Sequence, residues 1–139
     1  MEKSLVLIKP DAVRKKLIGK IISIYEENNL KVVALKMEKI TEDFASKHYK
    51  EHIGKDFYNL LLNFITSGPL CALILEGHNA IEKIREINGN TDPNKAKKKS
   101  IRRMYARNKT ENCVHASDSL ESAKREIRLW FGEEEKEWD

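Results

Sequence analysis

The sequence predicts an α/β fold, a sheet covered by helices, and three observations carry that expectation. Two short apolar runs, Leu5-Val6-Leu7-Ile8 and Leu70 to Leu75, have the length and continuity of strands buried on both faces. Two longer segments, Ile18 to Tyr25 and Leu120 to Trp130, space their apolar residues with a helical period. Taken along the chain, the segments read β-α-β-α-α-β-α-loop-β-α, an order that belongs to layered α/β domains.

The first strand ends at Lys9-Pro10-Asp11-Ala12. Pro10 stops it and holds Lys9 extended, so that the lysine stands at the end of a strand, where open sheets present ligand groups. Ile18, Ile21, Ile22 and Tyr25 then form one face of a helix from about Leu17 to Asn28. Leu30 to Ile40 alternates well enough for a long strand, with Val32, Ala34, Met37 and Ile40 on its apolar side. Thr41-Glu42-Asp43 caps the next helix, which carries Phe44, His48 and Tyr49. His48 and His52 have i, i+4 spacing, but Glu51 is misplaced for a His-Glu-x-x-His zinc motif and no third ligand follows, so both are read as surface residues.

Beyond Gly54, Phe57, Leu60, Leu61, Phe64 and Ile65 make a short, strongly apolar helix. Ser67-Gly68-Pro69 turns into the central strand, Leu70 to Gly77, and Ala80, Ile81, Ile84 and Ile87 mark the helix after it. Gly89 to Pro93 cannot continue that helix, and a loop follows as far as Asn112. In the last helix Ser119 is the expected N-cap, and Leu120, Ala123, Ile127 and Trp130 share a face.

At 139 residues the chain is read as one domain, 1–139, with an acidic tail from about residue 133 that has no core pattern apart from Trp138. With 40% hydrophobic and 35% charged residues it has a globular composition, and no run approaches the roughly 18 apolar residues of a membrane span. No basic leader or small-residue cleavage site precedes the first strand, so a cytoplasmic protein is expected. Cys71 and Cys113 lack metal-type spacing and read as thiols in a reducing compartment.

The charge is uneven. Eight of the 26 basic residues fall between Lys95 and Lys109 with no acid among them, leaving 18 bases against 22 acids elsewhere. A basic segment in an otherwise mildly acidic chain points to a polyanion. Close behind it comes Asn112-Cys113-Val114-His115-Ala116-Ser117-Asp118-Ser119, which would set an imidazole at the lip of a strand. Histidine attacks phosphorus directly and can hold a phosphoryl group covalently.

Asn-x-x-His-x-Ser-Asp resembles the active-site signature of the nucleoside diphosphate kinases, with Ala116 where that family usually has glycine. Ile8-Lys9-Pro10-Asp11 resembles the family's first motif, and Arg85-x-x-x-Gly89-x-Thr91-x-Pro93 its phosphate-binding stretch. The likeness runs from Leu5 to about Phe131. It implies a ferredoxin-like split βαβ sandwich with a four-stranded antiparallel sheet.

The resemblance also implies roles. His115 would be the phosphorylated nucleophile, Glu126 would orient its imidazole, Lys9 would contact the transferred phosphate and Tyr49 would line the cleft. Phe57 would stack on the base, and Arg85, Thr91, Arg102 and Asn112 would bind the nucleotide. Mg²⁺ would be carried mainly by nucleotide phosphates, with no protein metal ligand, and the assembly would be a homotetramer or homohexamer. Arg103, Met104 and Lys109 depart from the family pattern. Two other readings are a nucleic-acid-binding module using the basic segment and a catalytically dead scaffold. The joint presence of Lys9, His115 and Glu126 speaks against both.

Overall fold

The computed structural model describes residues 1–132; the acidic tail and Trp138 lie outside the described residues. Four strands form one sheet in the order β2-β3-β1-β4: β1 (Glu2–Ile8), β2 (Lys31–Glu38), β3 (Leu70–Gly77) and β4 (Val114–Ala116). Every neighbouring pair is antiparallel, as the resemblance implied. β1 is central, pairing with β3 from Glu2↔Gly77 to Ile8↔Cys71 and with β4 from Val6↔Ala116 to Ile8↔Val114.

Because side chains on a strand alternate between faces, each strand feeds two cores. Val6, Ile8, Leu73 and Leu75 pack with Ile21 and Tyr25 of α2 (Ile18–Glu27) and Ile84 of α5 (Ala80–Asn88). Leu5, Leu7, Ala72 and Ile74 face the other way, onto α3 (Glu42–His48), α4 (Tyr58–Ile65) and α7 (Leu120–Phe131). The central strands are thus covered on both sides, which explains their unbroken apolar runs.

Two helices interrupt stretches read as strand end and loop. α1 (Pro10–Arg14) begins on Pro10, whose fixed φ and missing N–H suit a first helical position. α6 (Ile101–Tyr105) is capped by Ser100 Oγ, which accepts from the Arg103 N–H, and it sits within the basic segment. β2 alternates less cleanly than expected because its register with β3 shifts between Val32 and Ala34, and Met37 is half exposed. Leu120, assigned to the buried face of α7, is also half exposed, while Ala123, Ile127 and Trp130 are buried.

Candidate active site

A cleft of about 750 Å³ opens where β1 ends and β4 begins, and it is walled by α7, by the chain after α3 and by residues 85–112. All nine residues assigned from the sequence line it: Lys9, Tyr49, Phe57, Arg85, Thr91, Arg102, Asn112, His115 and Glu126. They come from six separate parts of the chain, and the fold alone gathers them.

His115 is the middle residue of β4, opposite Leu7 of β1. Its Nε2 lies 2.8 Å from Glu126 Oε1, two turns into α7. The same oxygen accepts from Ser117 Oγ at 2.9 Å, and Arg125 stands 3.6 Å from the other oxygen. Burial alone would raise the Glu126 pKa; the hydrogen bonds from His115 and Ser117 and the Arg125 charge outweigh it and hold it below the usual value. An ionised carboxylate only accepts, so Nε2 of His115 carries the hydrogen and the ring's lone pair is left on Nδ1. That is the tautomer a nucleophilic imidazole needs.

The loop before His115 is tied tightly to the end of β1. The Lys9 N–H donates to Cys113 O at 2.8 Å, and Asp11 Oδ2 accepts from the Cys113 N–H at 3.1 Å. Between them the backbone closes a three-residue turn, Val114 N–H to Asn112 O, that places Cys113 at φ +73°. Asn112 is buried and fully engaged: its Oδ1 accepts from Lys9 Nζ at 2.8 Å, and its Nδ2 donates to Thr91 O and Lys109 O.

Lys9 is buried, and burial first, then the charge of Arg102, lowers its pKa to about 8. Arg102 is also mostly enclosed. Its Nη1 and Nη2 donate to Gly89 O at 2.8 Å and Val114 O at 2.7 Å, while its buried Nε has no partner among the described residues. Two desolvated cations share one end of the cleft with the carboxylate of Glu126 turned toward His115. A dianionic phosphate would satisfy them.

The outer wall is more open. Arg85 and Thr91 are exposed, as is Phe57 at 45%, with Lys55 Nζ 5.7 Å from its ring centre. An aromatic face this exposed has room for a planar ligand. Tyr49 is buried, and burial raises its pKa, so the phenol remains a neutral hydrogen-bond donor. Lys109 lines the cleft, but its defined contact is the backbone carbonyl that holds Asn112.

The surface assignment of His48 is corrected by the structure. α3 ends at His48 and a 3₁₀ turn covers Lys50–His52, so His48 and His52 share no helix face. His48 is buried, accepts from Trp130 Nε1 through Nδ1 at 3.0 Å, and packs edge-on against His115 with ring centres 4.6 Å apart. Ligand atoms of His48, His115 and Glu126 lie within 4.8 Å of one another. Trp130 can only donate, so His48 Nδ1 is the acceptor and Nε2 keeps its hydrogen, which leaves no lone pair for a metal. The other functional groups not assigned from sequence are Ser117, which shares Glu126 with His115, and Arg125 and Asp118 on the cleft wall. Ser117 and Asp118 stand inside the His115 motif, which was their available signal.

Fold and cleft together define an α/β protein built to hold a phosphorylated ligand against a histidine. The nucleoside diphosphate kinase family model matches residues 2–136, and the chain belongs to that family. It is 60% identical over 131 residues to a nucleoside diphosphate kinase of Clostridium perfringens, covering 94% of this chain and 92% of that one. Among solved structures, the Aquifex aeolicus nucleoside diphosphate kinase superposes with a TM-score of 0.91 at 40% identity, covering 94% of each chain. That of Encephalitozoon cuniculi gives 0.97 at 31% identity, over 100% of this chain and 95% of the other.

Proposed function

We propose that this chain moves the γ-phosphate of a nucleoside triphosphate, usually ATP, to a nucleoside diphosphate in two half-reactions, with His115 carrying the group between them. The observation that carries the reading is the 2.8 Å contact of His115 Nε2 with buried Glu126, which leaves Nδ1 as the attacking atom. Nδ1 bonds to the γ-phosphorus as the bond to the β–γ bridging oxygen breaks, and the diphosphate leaves with that electron pair. The Nε2 hydrogen stays against Glu126, so the step needs no separate base. A second diphosphate then attacks the phosphorus through a terminal oxygen, the N–P bond breaks and the imidazole is restored.

Phosphoryl transfer depends chiefly on positioning and charge neutralisation. Lys9, Arg102 and Asn112 form the inner cradle, Arg85 and Thr91 the outer one, and Phe57 supplies a stacking face indifferent to base identity. Mg²⁺ would come with the nucleotide, since Lys9, Arg102 and Asn112 of the inner cleft offer cationic and amide donors suited to phosphate oxygens; when bound it would help to neutralise the phosphate charge.

We further read the domain as spanning 1–139, working in the cytoplasm on nucleoside tri- and diphosphates, with nucleic acid not its main partner. No helix among the described residues is long and apolar enough to cross a membrane. A homo-oligomer, tetramer or hexamer, accords with Leu35 and Met37, half exposed on edge strand β2.

Initial rates measured with ATP and CDP varied together test the scheme. One site serving donor and acceptor in turn gives parallel double-reciprocal lines; intersecting lines would mean both nucleotides bind at once and would defeat it.

A further inference from the structure

His48 is a buried titratable group, and the scheme above gives it no role. Its ring stands 77° to that of His115 with centres 4.6 Å apart, and it also contacts Tyr49 and Trp130 edge-on. Trp130 reaches it from α7, the helix that carries Glu126. Two supports therefore meet His115 from one helix: Glu126 directly, and Trp130 through His48.

We propose that His48 is a positioning residue for His115, an imidazole kept neutral by the Trp130 N–H, which fixes the plane of the nucleophile and keeps a second positive charge away from it. This rests on the phosphohistidine reading above. The hydrogen bond that His115 Nε2 donates to Glu126 pins one atom of the ring but leaves the ring free to swing about that contact. An aromatic neighbour packed edge-on removes that freedom, and small errors in the direction of Nδ1 are costly for in-line attack.

Charge matters as well. Once Nδ1 bonds to phosphorus while Nε2 keeps its hydrogen, the His115 ring becomes cationic. The charged and titratable groups facing His48 are His115 from β4, Lys9 beyond β1, Arg125 and Glu126 from α7, and Tyr49 and His52 after α3. Apart from Glu126 they are neutral or positive, so a protonated His48 would oppose the cation forming beside it. Protonation would also set an Nδ1–H against the indole N–H, two donors with no acceptor between them. Burial first, then the charges of His115 and Lys9, hold the His48 pKa well below its ordinary value.

The experiment is the rate of covalent labelling by γ-labelled ATP with Mg²⁺, measured from pH 5 to 9 on purified wild type, His48→Ala, His48→Phe and Trp130→Phe, each checked for folding by thermal melt. Wild type must label; if it does not, the phosphohistidine reading falls first. His48→Ala should lose on the order of 10-fold in labelling rate with nucleotide KM little changed, and His48→Phe, which keeps a ring against His115, should regain most of it. Trp130→Phe should keep most of its activity at pH 8 but lose it on the acid side at a pH about one unit higher than wild type does. Wild-type labelling with His48→Ala at full rate would overturn the proposal. So would a His48→Ala loss confined to KM, or an acid limb in Trp130→Phe that does not move. Should His48→Ala fail to fold, the Trp130→Phe profile decides alone.

Discussion

His115 Nε2 and Glu126 Oε1 meet at 2.8 Å where strand β4 faces helix α7. Eleven residues separate the two in the chain. Ser119, whose Oγ accepts from the Ser122 N–H, starts α7 at the point that brings its second turn back over the strand. In the proposed scheme Glu126 fixes the tautomer of the imidazole and would balance the positive charge it acquires with the phosphoryl group. Replacing Glu126 by Gln keeps an acceptor but removes the charge. The labelling rate should fall by about 10- to 100-fold while nucleotide affinity changes little, as single-turnover kinetics would read.

Lys9, buried as a cation, costs the free protein stability. An unfolded lysine holds its proton up to about its ordinary 10.5, whereas in the fold it is released near 8. Below pH 8 both states are protonated and the folded chain bears the whole penalty. Between about 8 and 10.5 the unfolded state binds more protons, so wild-type stability from this group rises with pH. Lys9→Met should therefore be more stable than wild type at pH 7. The relief of about 3 kcal/mol is cut to about 1–2 by the partner that Asn112 loses. Urea melts should show the difference closing by about pH 10, while transfer activity is lost throughout.

Phe57 stands 45% exposed at the cleft mouth and contributes little to the core. Phe57→Ala should raise KM by about 10-fold for purine and pyrimidine diphosphates alike, because stacking on any base is worth about 1–3 kcal/mol. Its melting temperature should stay near that of wild type. A loss confined to one base would show that contacts other than stacking set the affinity.

Gly89, at φ +86°, joins α5 to the loop that carries Thr91. A Cβ there would meet Ser100 Cβ at 2.6 Å as well as its hydroxyl, which caps α6. Its carbonyl also accepts from Arg102. Gly89→Ala should cost about 2–3 kcal/mol from the left-handed backbone and the clash together, and KM should rise as Arg102 is displaced. Urea unfolding and initial rates on one preparation would measure both.

The readability of the chain follows from how local each feature is. β1 and β3 show as unbroken apolar runs, α2 and most of α7 are long enough for a helical period to show, and Ser119 caps α7 explicitly. α1 and α6, at five residues each, are too short for periodicity and depend on Pro10 and on Ser100. Lys9, Arg85, Thr91, Asn112 and His115 could be read because they stand in short motifs, whereas Tyr49, Phe57, Arg102 and Glu126 could be read only from their places in the family pattern. His48 could not: the group that buries and orients it, Trp130, lies 82 residues away, and nothing near His48 encodes that contact. The half-exposed Leu120 is the reverse case. Its spacing suits the buried face of α7, but it is the first residue of the helix and is half exposed.

The most direct measurement is the identification of the labelled residue after incubation with γ-labelled ATP and Mg²⁺. Wild type should carry label that survives alkali but not acid, maps to the peptide containing His115, and is discharged by added GDP or CDP. His115→Ala should fold normally and carry none. Label on the His115→Ala variant, or transfer by it at near the wild-type rate, would contradict a phosphohistidine at this position.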